Sequence, residues 1–290
     1  MKYNDQARLD PSQVGGGGRG GGGKIALGGG AGLVVLVIAL LLGINPNDIL
    51  GGATTTDPGT GSGQSSPFAQ CTKGSDINTD RNCRFVAYTN SIQEYWGSTQ
   101  PDYQTIQVQT FTGSIATGCG NASSAVGPFY CPADTTVYLD LAFFDQLTGD
   151  LGAKGGDAAE AYVLAHEFGH HIQQLKGTMA KVQGSGLQVT GPTSSGVRLE
   201  LQADCYAGVW FNHATNDPDS PISEVTSADL ADALDAASAV GDDRIQQKTQ
   251  GQVTPETWTH GSAANRQKWL TTGFRSGDPK ACDTFAAGAA

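Results

Sequence analysis

The chain has 290 residues, 38% of them hydrophobic and 16% charged, enough for one sizeable globular domain with appendages, while its 41 glycines show that a good part is not packed core. A formal net charge of −11 argues against nucleic acid or anionic lipid as partners of the folded part. No phosphate-binding loop is present: the glycine run at 15–23 lacks a preceding strand and the Gly-Lys-Ser/Thr ending, so it reads as linker.

In chain order, residues 1–24 form a glycine-rich tail. Gly15 to Gly23 is interrupted only by Arg19 and cannot bury enough apolar surface to order itself. Residues 25–44 are twenty residues without a charge, which at 1.5 Å per residue span about 30 Å, the hydrocarbon thickness of a bilayer. A transmembrane helix is expected there. Lys2, Arg8, Arg19 and Lys24 against Asp5 and Asp10 give the tail +2, leaving −13 on the remainder. By the positive-inside rule the tail is then cytoplasmic and the rest extracytoplasmic. The competing reading is a cleaved signal peptide, disfavoured because Leu42-Gly43-Ile44-Asn45-Pro46 is not a small-x-small cleavage site. Residues 45–70, rich in Thr, Gly, Ser and Pro, read as a flexible linker, and the extracytoplasmic domain occupies 71–290.

All six cysteines, Cys71, Cys83, Cys119, Cys131, Cys205 and Cys282, lie beyond the apolar stretch, where oxidation is permitted. Three disulfides are expected. Fifteen pairings are formally possible; the spacing suggests two local loops, Cys71–Cys83 and Cys119–Cys131, leaving Cys205–Cys282.

The domain reads as α+β: a mainly helical fold with a small antiparallel sheet beside its central helix. Phe85, Tyr88, Ile92 and Tyr95/Trp96 recur at helical spacing within 80–96, and 105–112 and 136–141 are β-prone. A helix over 158–176 ends at Gly177, the segment 179–196 reads as a mobile loop, and 197–213 reads as a buried helix. Helices over 227–240 and 262–275 begin with serine caps.

The chemistry lies in His166-Glu167-Phe168-Gly169-His170 and, thirty residues after the second histidine, Glu200-Leu201-Gln202-Ala203-Asp204. Helical residues four apart share a face, so His166 and His170 can aim both imidazoles at one Zn²⁺ with Glu167 beside it as a base. Catalysis requires three protein ligands and an open position for water. Glu200 is the expected third ligand, because a carboxylate on a buried helix needs a partner. Asp204, one turn further on, can accept the other ring N–H of a ligand histidine, with His166 the expected partner. Against this, Arg198 is close enough in sequence to pair with Glu200 or Asp204 on a solvated face. Cys205 points away from the face those two share, and His171 lies about 100° round the helix from His170, so neither is placed on the metal.

The run Ala122-Ser123-Ser124-Ala125-Val126-Gly127-Pro128-Phe129-Tyr130-Cys131-Pro132-Ala133-Asp134, then Ala165 to His171, Arg198 to Gly208, Thr259-His260-Gly261-Ser262 and Cys282-Asp283-Thr284-Phe285, resembles the bacterial neutral zinc metallopeptidase family. The resemblance spans about 85–285 and implies an N-terminal membrane anchor and a gluzincin-type domain with His166, His170 and Glu200 as ligands and Glu167 as base. It does not imply a substrate.

A metalloendopeptidase is therefore expected, with Glu167 taking a proton from the attacking water and returning it to the leaving amine. A second donor is needed for the developing oxyanion. His260, in a short turn before a helix, is the leading candidate and Arg266 the runner-up. The alternatives are a tethered interaction module with a structural zinc and a zinc amidase of the cell envelope. Zinc is the one cofactor the composition suggests, and the partners expected are a peptide or protein substrate and, through 25–44, the membrane.

Overall fold

The computed structural model describes residues 1–16 and 66–289, apart from 185 and 187. The expected membrane helix over 25–44 lies outside the described residues; among these, no helix is long and apolar enough to cross a membrane.

Two short strands open the chain, β1 (Lys2–Tyr3) and β2 (Val14–Gly16). Helix α1 (Arg81–Thr99) follows, started by the Asp80 carboxylate accepting from Asn82 N–H and burying Phe85, Val86, Tyr88, Ile92 and Trp96. Next come β3 (Gln107–Phe111), the hairpin β4 (Ser114–Thr117) and β5 (Gly120–Ser123), then β6 (Phe129–Cys131), β7 (Thr136–Asp140) and the short helix α2 (Phe143–Gly149). Helix α3 (Asp157–Leu175) is buried from Ala158 to Gln173, so it forms the centre of the domain. Asp157 and Glu160 sit in its first turn, where the helix dipole favours negative charge.

Around α3 pack α5 (Ser195–His213), reached through α4 (Thr178–Gly184), and α6 (Ser227–Ala239), which follows β8 (Ile222–Glu224). After α7 (Asp242–Gln250), helix α8 (Ala263–Ser276) lies along α5 in the most extensive helix contact of the fold. Glycine makes that approach possible: a Cβ on Gly273 would stand 1.9 Å from the Cys205 carbonyl oxygen.

The sheet order is β2-β3-β7-β6. It is mixed rather than antiparallel as expected, with β2, β3 and β7 parallel and β6 alone reversed. The reason is the route of the chain. After β3 it leaves through the β4–β5 hairpin, comes back as β6, and turns directly into β7, which therefore runs the same way as β3.

Four further differences concern single segments. Gly15 and Gly16, assigned to an unstructured tail, form β2, because a parallel ladder needs only backbone groups. The fold begins before Cys71, since Phe68 is buried in the core. Part of the expected 179–196 loop is helix α4, and α6 is capped by Thr226, whose hydroxyl accepts from Asp229 N–H while the Asp229 carboxylate accepts in return, rather than by Ser227. Ser262 does cap α8. The disulfides are Cys71–Cys83, Cys119–Cys131 and Cys205–Cys282, the last joining α5 to the C-terminal segment across 77 residues.

Candidate metal centre

Helix α3 carries His166 and His170 one turn apart, and α5 crosses it carrying Glu200 and Asp204 one turn apart. The crossing is tight at Gly169, where a Cβ would meet Ala203 Cα at 2.9 Å. The two motifs therefore face each other. His166 Nε2 lies 3.2 Å from Glu200 Oε2 and His170 Nε2 lies 3.6 Å from Glu200 Oε1.

These donors fit a metal ion. Zinc bonds of about 2.0–2.1 Å in a tetrahedron put neighbouring ligand atoms about 3.3 Å apart, close to the spacings here, and one atom from each residue lies within 4.8 Å of the other two. Charge agrees with geometry. Glu167, Glu200 and Asp204 are buried with Arg266, which leaves a local excess of negative charge that a divalent cation would balance. Burial alone would depress the His166 pKa, yet the Asp204 and Glu200 carboxylates raise it to about 9, so this site attracts positive charge. Glu200 is held below the usual carboxylate range: burial opposes its ionisation, but the charge of His170 and the hydrogen bond to His166 prevail.

Each histidine is turned by its other nitrogen. His166 Nδ1–H donates to Asp204 Oδ1 at 2.8 Å, and His170 Nδ1–H donates to Gln173 Oε1 at 2.9 Å, an arrangement that leaves both Nε2 lone pairs free to bind a metal ion. Asp204 is fully buried and also accepts from Tyr162 OH at 2.6 Å and from Arg266 Nε and Nη2, each at 2.9 Å. Burial disfavours its charged form, but the Arg266 guanidinium outweighs burial and its pKa is lowered. Gln173 is oriented by a relay. Gln202 Nε2 donates to the Cys282 carbonyl, which turns Gln202 Oε1 toward Gln173 Nε2, and Gln173 Nε2 also donates to the Leu199 carbonyl, so Gln173 Oε1 faces His170.

Glu167 is 7% exposed and its carboxylate makes no hydrogen bond among the described residues, so its oxygens remain available to water or substrate. His260 is anchored by Asp242, whose Oδ2 accepts from the backbone N–H groups of Thr259, His260 and Gly261 at 2.7, 2.7 and 2.9 Å and whose Oδ1 lies 3.3 Å from His260 Nδ1. Burial lowers the His260 pKa, but the hydrogen bond to Asp242 and the charge of Glu200 raise it overall.

The runner-up donor to the oxyanion is corrected, while Cys205 and His171 lie outside the His166–His170–Glu200 group, as expected. Arg266 is not an open donor: it is 3% exposed and committed to Asp204 and Tyr162. Arg198 leaves Glu200 and Asp204 alone and donates to the carbonyls of Thr193, Thr284 and Ala286. Cys205 is in a disulfide. His171 is buried, with Nδ1 2.9 Å from Tyr130 OH, and so links α3 to the edge strand β6. Gln173, Tyr162 and Asp242 were missed. The first two lie three residues after His170 and four before His166, on the same helical face, so spacing could have found them; Asp242 comes from a distant segment and had no such signal.

The chain matches the family described as "Putative neutral zinc metallopeptidase" over residues 4–285. The chain belongs to this family. Relatives similar to this metallopeptidase-family chain include the uncharacterized protein Rv2575 of Mycobacterium tuberculosis, 48% identical over 257 residues that cover 86% of this chain and 85% of the relative. Another is the uncharacterized protein YpfJ of Escherichia coli K12, 42% identical over 230 residues, 77% of this chain and 78% of the relative. No solved structure matches this member of the family.

Proposed function

We propose that the chain is a zinc-dependent metalloendopeptidase of the extracytoplasmic compartment. The observation that carries this reading is the convergence of His166 Nε2, His170 Nε2 and both Glu200 oxygens, with an unpaired Glu167 one residue along from the first ligand. Held by His166, His170 and Glu200, Zn²⁺ would supply Lewis-acid polarisation of the scissile carbonyl and acidify water. Glu167 accepts the proton of the attacking water and passes it to the departing amine nitrogen. His260, its ring held by Asp242, is the second donor toward the oxyanion. Asp204 keeps the His166 proton on Nδ1, and Gln173 does the same for His170.

A peptide substrate, rather than another acyl compound, is favoured by the family to which the chain belongs. The three disulfides support an oxidising compartment.

The test is Glu167→Gln in the full chain, assayed against an unstructured protein substrate with zinc measured in parallel. Loss of at least a hundredfold in cleavage with zinc retained is expected. Unchanged cleavage by this variant would overturn the role of Glu167, and absence of any cleavage by the wild type, with zinc bound, would favour a structural metal in an interaction module.

A further inference from the structure

Residues 1–16 are woven into the metal domain. Strand β1 pairs antiparallel with β8, and β2 pairs in parallel with β3, placing Val14 opposite Val108. Between the strands, Gly74 N–H donates to the Ala7 carbonyl at 2.8 Å and Leu9 N–H to the Thr72 carbonyl at 3.1 Å, while Asn90 and Gln93 of α1 donate to Gln13 Oε1 at 3.0 and 2.8 Å. Ala7, Leu9 and Val14 are buried. The domain is shaped to receive this segment: a Cβ on Gly74 would stand 1.8 Å from the Asn4 carbonyl oxygen.

The segment also reaches the helix of the metal centre. Tyr3 OH donates to Asp157 Oδ2 at 2.7 Å and lies 2.8 Å from Tyr88 OH, while Arg84 pairs with the other oxygen of Asp157. Asp157 is the first residue of α3, so Tyr3 ties the N-terminus of the helix that carries His166 and His170 to α1.

A segment paired in this way shares a compartment with the domain it pairs with. Any path through a bilayer within residues 17–65 would then have to cross an even number of times, and two crossings need about 40 apolar residues, whereas the sequence offers the single twenty-residue stretch 25–44. We propose that residues 1–16 are a strap of the metal domain, on the same side of the membrane as the metal centre, and that the 25–44 stretch does not separate the two. This replaces the cytoplasmic tail expected from the charge distribution, and it holds whether or not the centre is a peptidase.

The test uses the full chain in cells. Lys2 and Glu224 are partners in the β1–β8 register and their side chains form an ion pair at the surface. Lys2→Cys with Glu224→Cys should give a disulfide, found as a linked peptide by mass spectrometry after thiols are blocked at lysis. In separate single variants, a thiol at exposed Gln6 and one at exposed Asp102 should react equally with a membrane-impermeant maleimide in intact spheroplasts. Labelling at 102 with none at 6 until the membrane is permeabilised would overturn the proposal, as would failure of the 2–224 cross-link in a chain whose three native disulfides are intact.

Discussion

The two histidines of the centre sit one turn apart on one helix, yet the protein holds them by different means. Behind His166 lies a buried charged network, Asp204 with Arg266 and Tyr162; behind His170 lies a neutral amide relay through Gln173 and Gln202. A carboxylate makes an imidazole a better donor to a metal, whereas an amide fixes the tautomer without adding charge. One carboxylate of this kind is balanced by Arg266. A second would be buried with no cation beside it, and isolated buried charge is costly. The His166 side ties α3 to α5 and α8 through Asp204, Tyr162 and Arg266, and on the proposed reading it would also set metal affinity, while the His170 side would set only direction.

The sharpest way to break this contrast is at Arg266. Arg266→Met leaves Asp204 buried without its guanidinium, so about 3–5 kcal/mol of stability should be lost, read as a lower urea midpoint. A change within experimental error would show that the network is not the structural centre it is taken to be. Next in size is Asp204→Asn, which keeps the hydrogen bond but removes the charge; zinc affinity or turnover should fall about 10- to 100-fold, measured by competition with a chelator. Gln173→Ala should cost less, about tenfold at most. If the Gln173 variant loses more zinc affinity than the Asp204 variant, the contrast is reversed.

A further expected effect is one of pH. Burial lowers the His171 pKa to about 4, below the ordinary 6.5, so the unfolded chain takes up the proton first. His171 therefore contributes stability above pH 6.5 that is lost as pH falls toward 4. Asp204 behaves differently: its pKa is lowered from 3.8, so its contribution persists to that value and fails only below it. His171→Gln, which can still bond Tyr130 but cannot titrate, should lose less stability than wild type between pH 6.5 and 4. Parallel stability curves for the two proteins over that interval would refute the assignment.

Much of the centre was legible because helical spacing is a local code. His166, Glu167 and His170, and then Glu200 and Asp204, declare their shared faces without any knowledge of the fold, and apolar periodicity placed the main helices to within a few residues. What stayed hidden depends on long-range pairing. Arg266 looked like an open donor because nothing in its own segment reveals that α8 presses it against Asp204. The Asp242 cradle for His260 and the mixed order of the sheet arise in the same way, from segments far apart in sequence. Strand β2 was missed for a related reason: a glycine-rich strand carries no side-chain pattern, and its order comes from the edge of β3.

The most direct test of the account is the zinc content of the purified full chain, measured by elemental analysis for the wild type, the His166→Ala/His170→Ala double variant and Glu167→Gln. About one zinc per chain is predicted for the wild type and for Glu167→Gln, and none for the double variant, because only the latter removes donor atoms. Equal zinc in the double variant and the wild type would contradict the assignment of the centre.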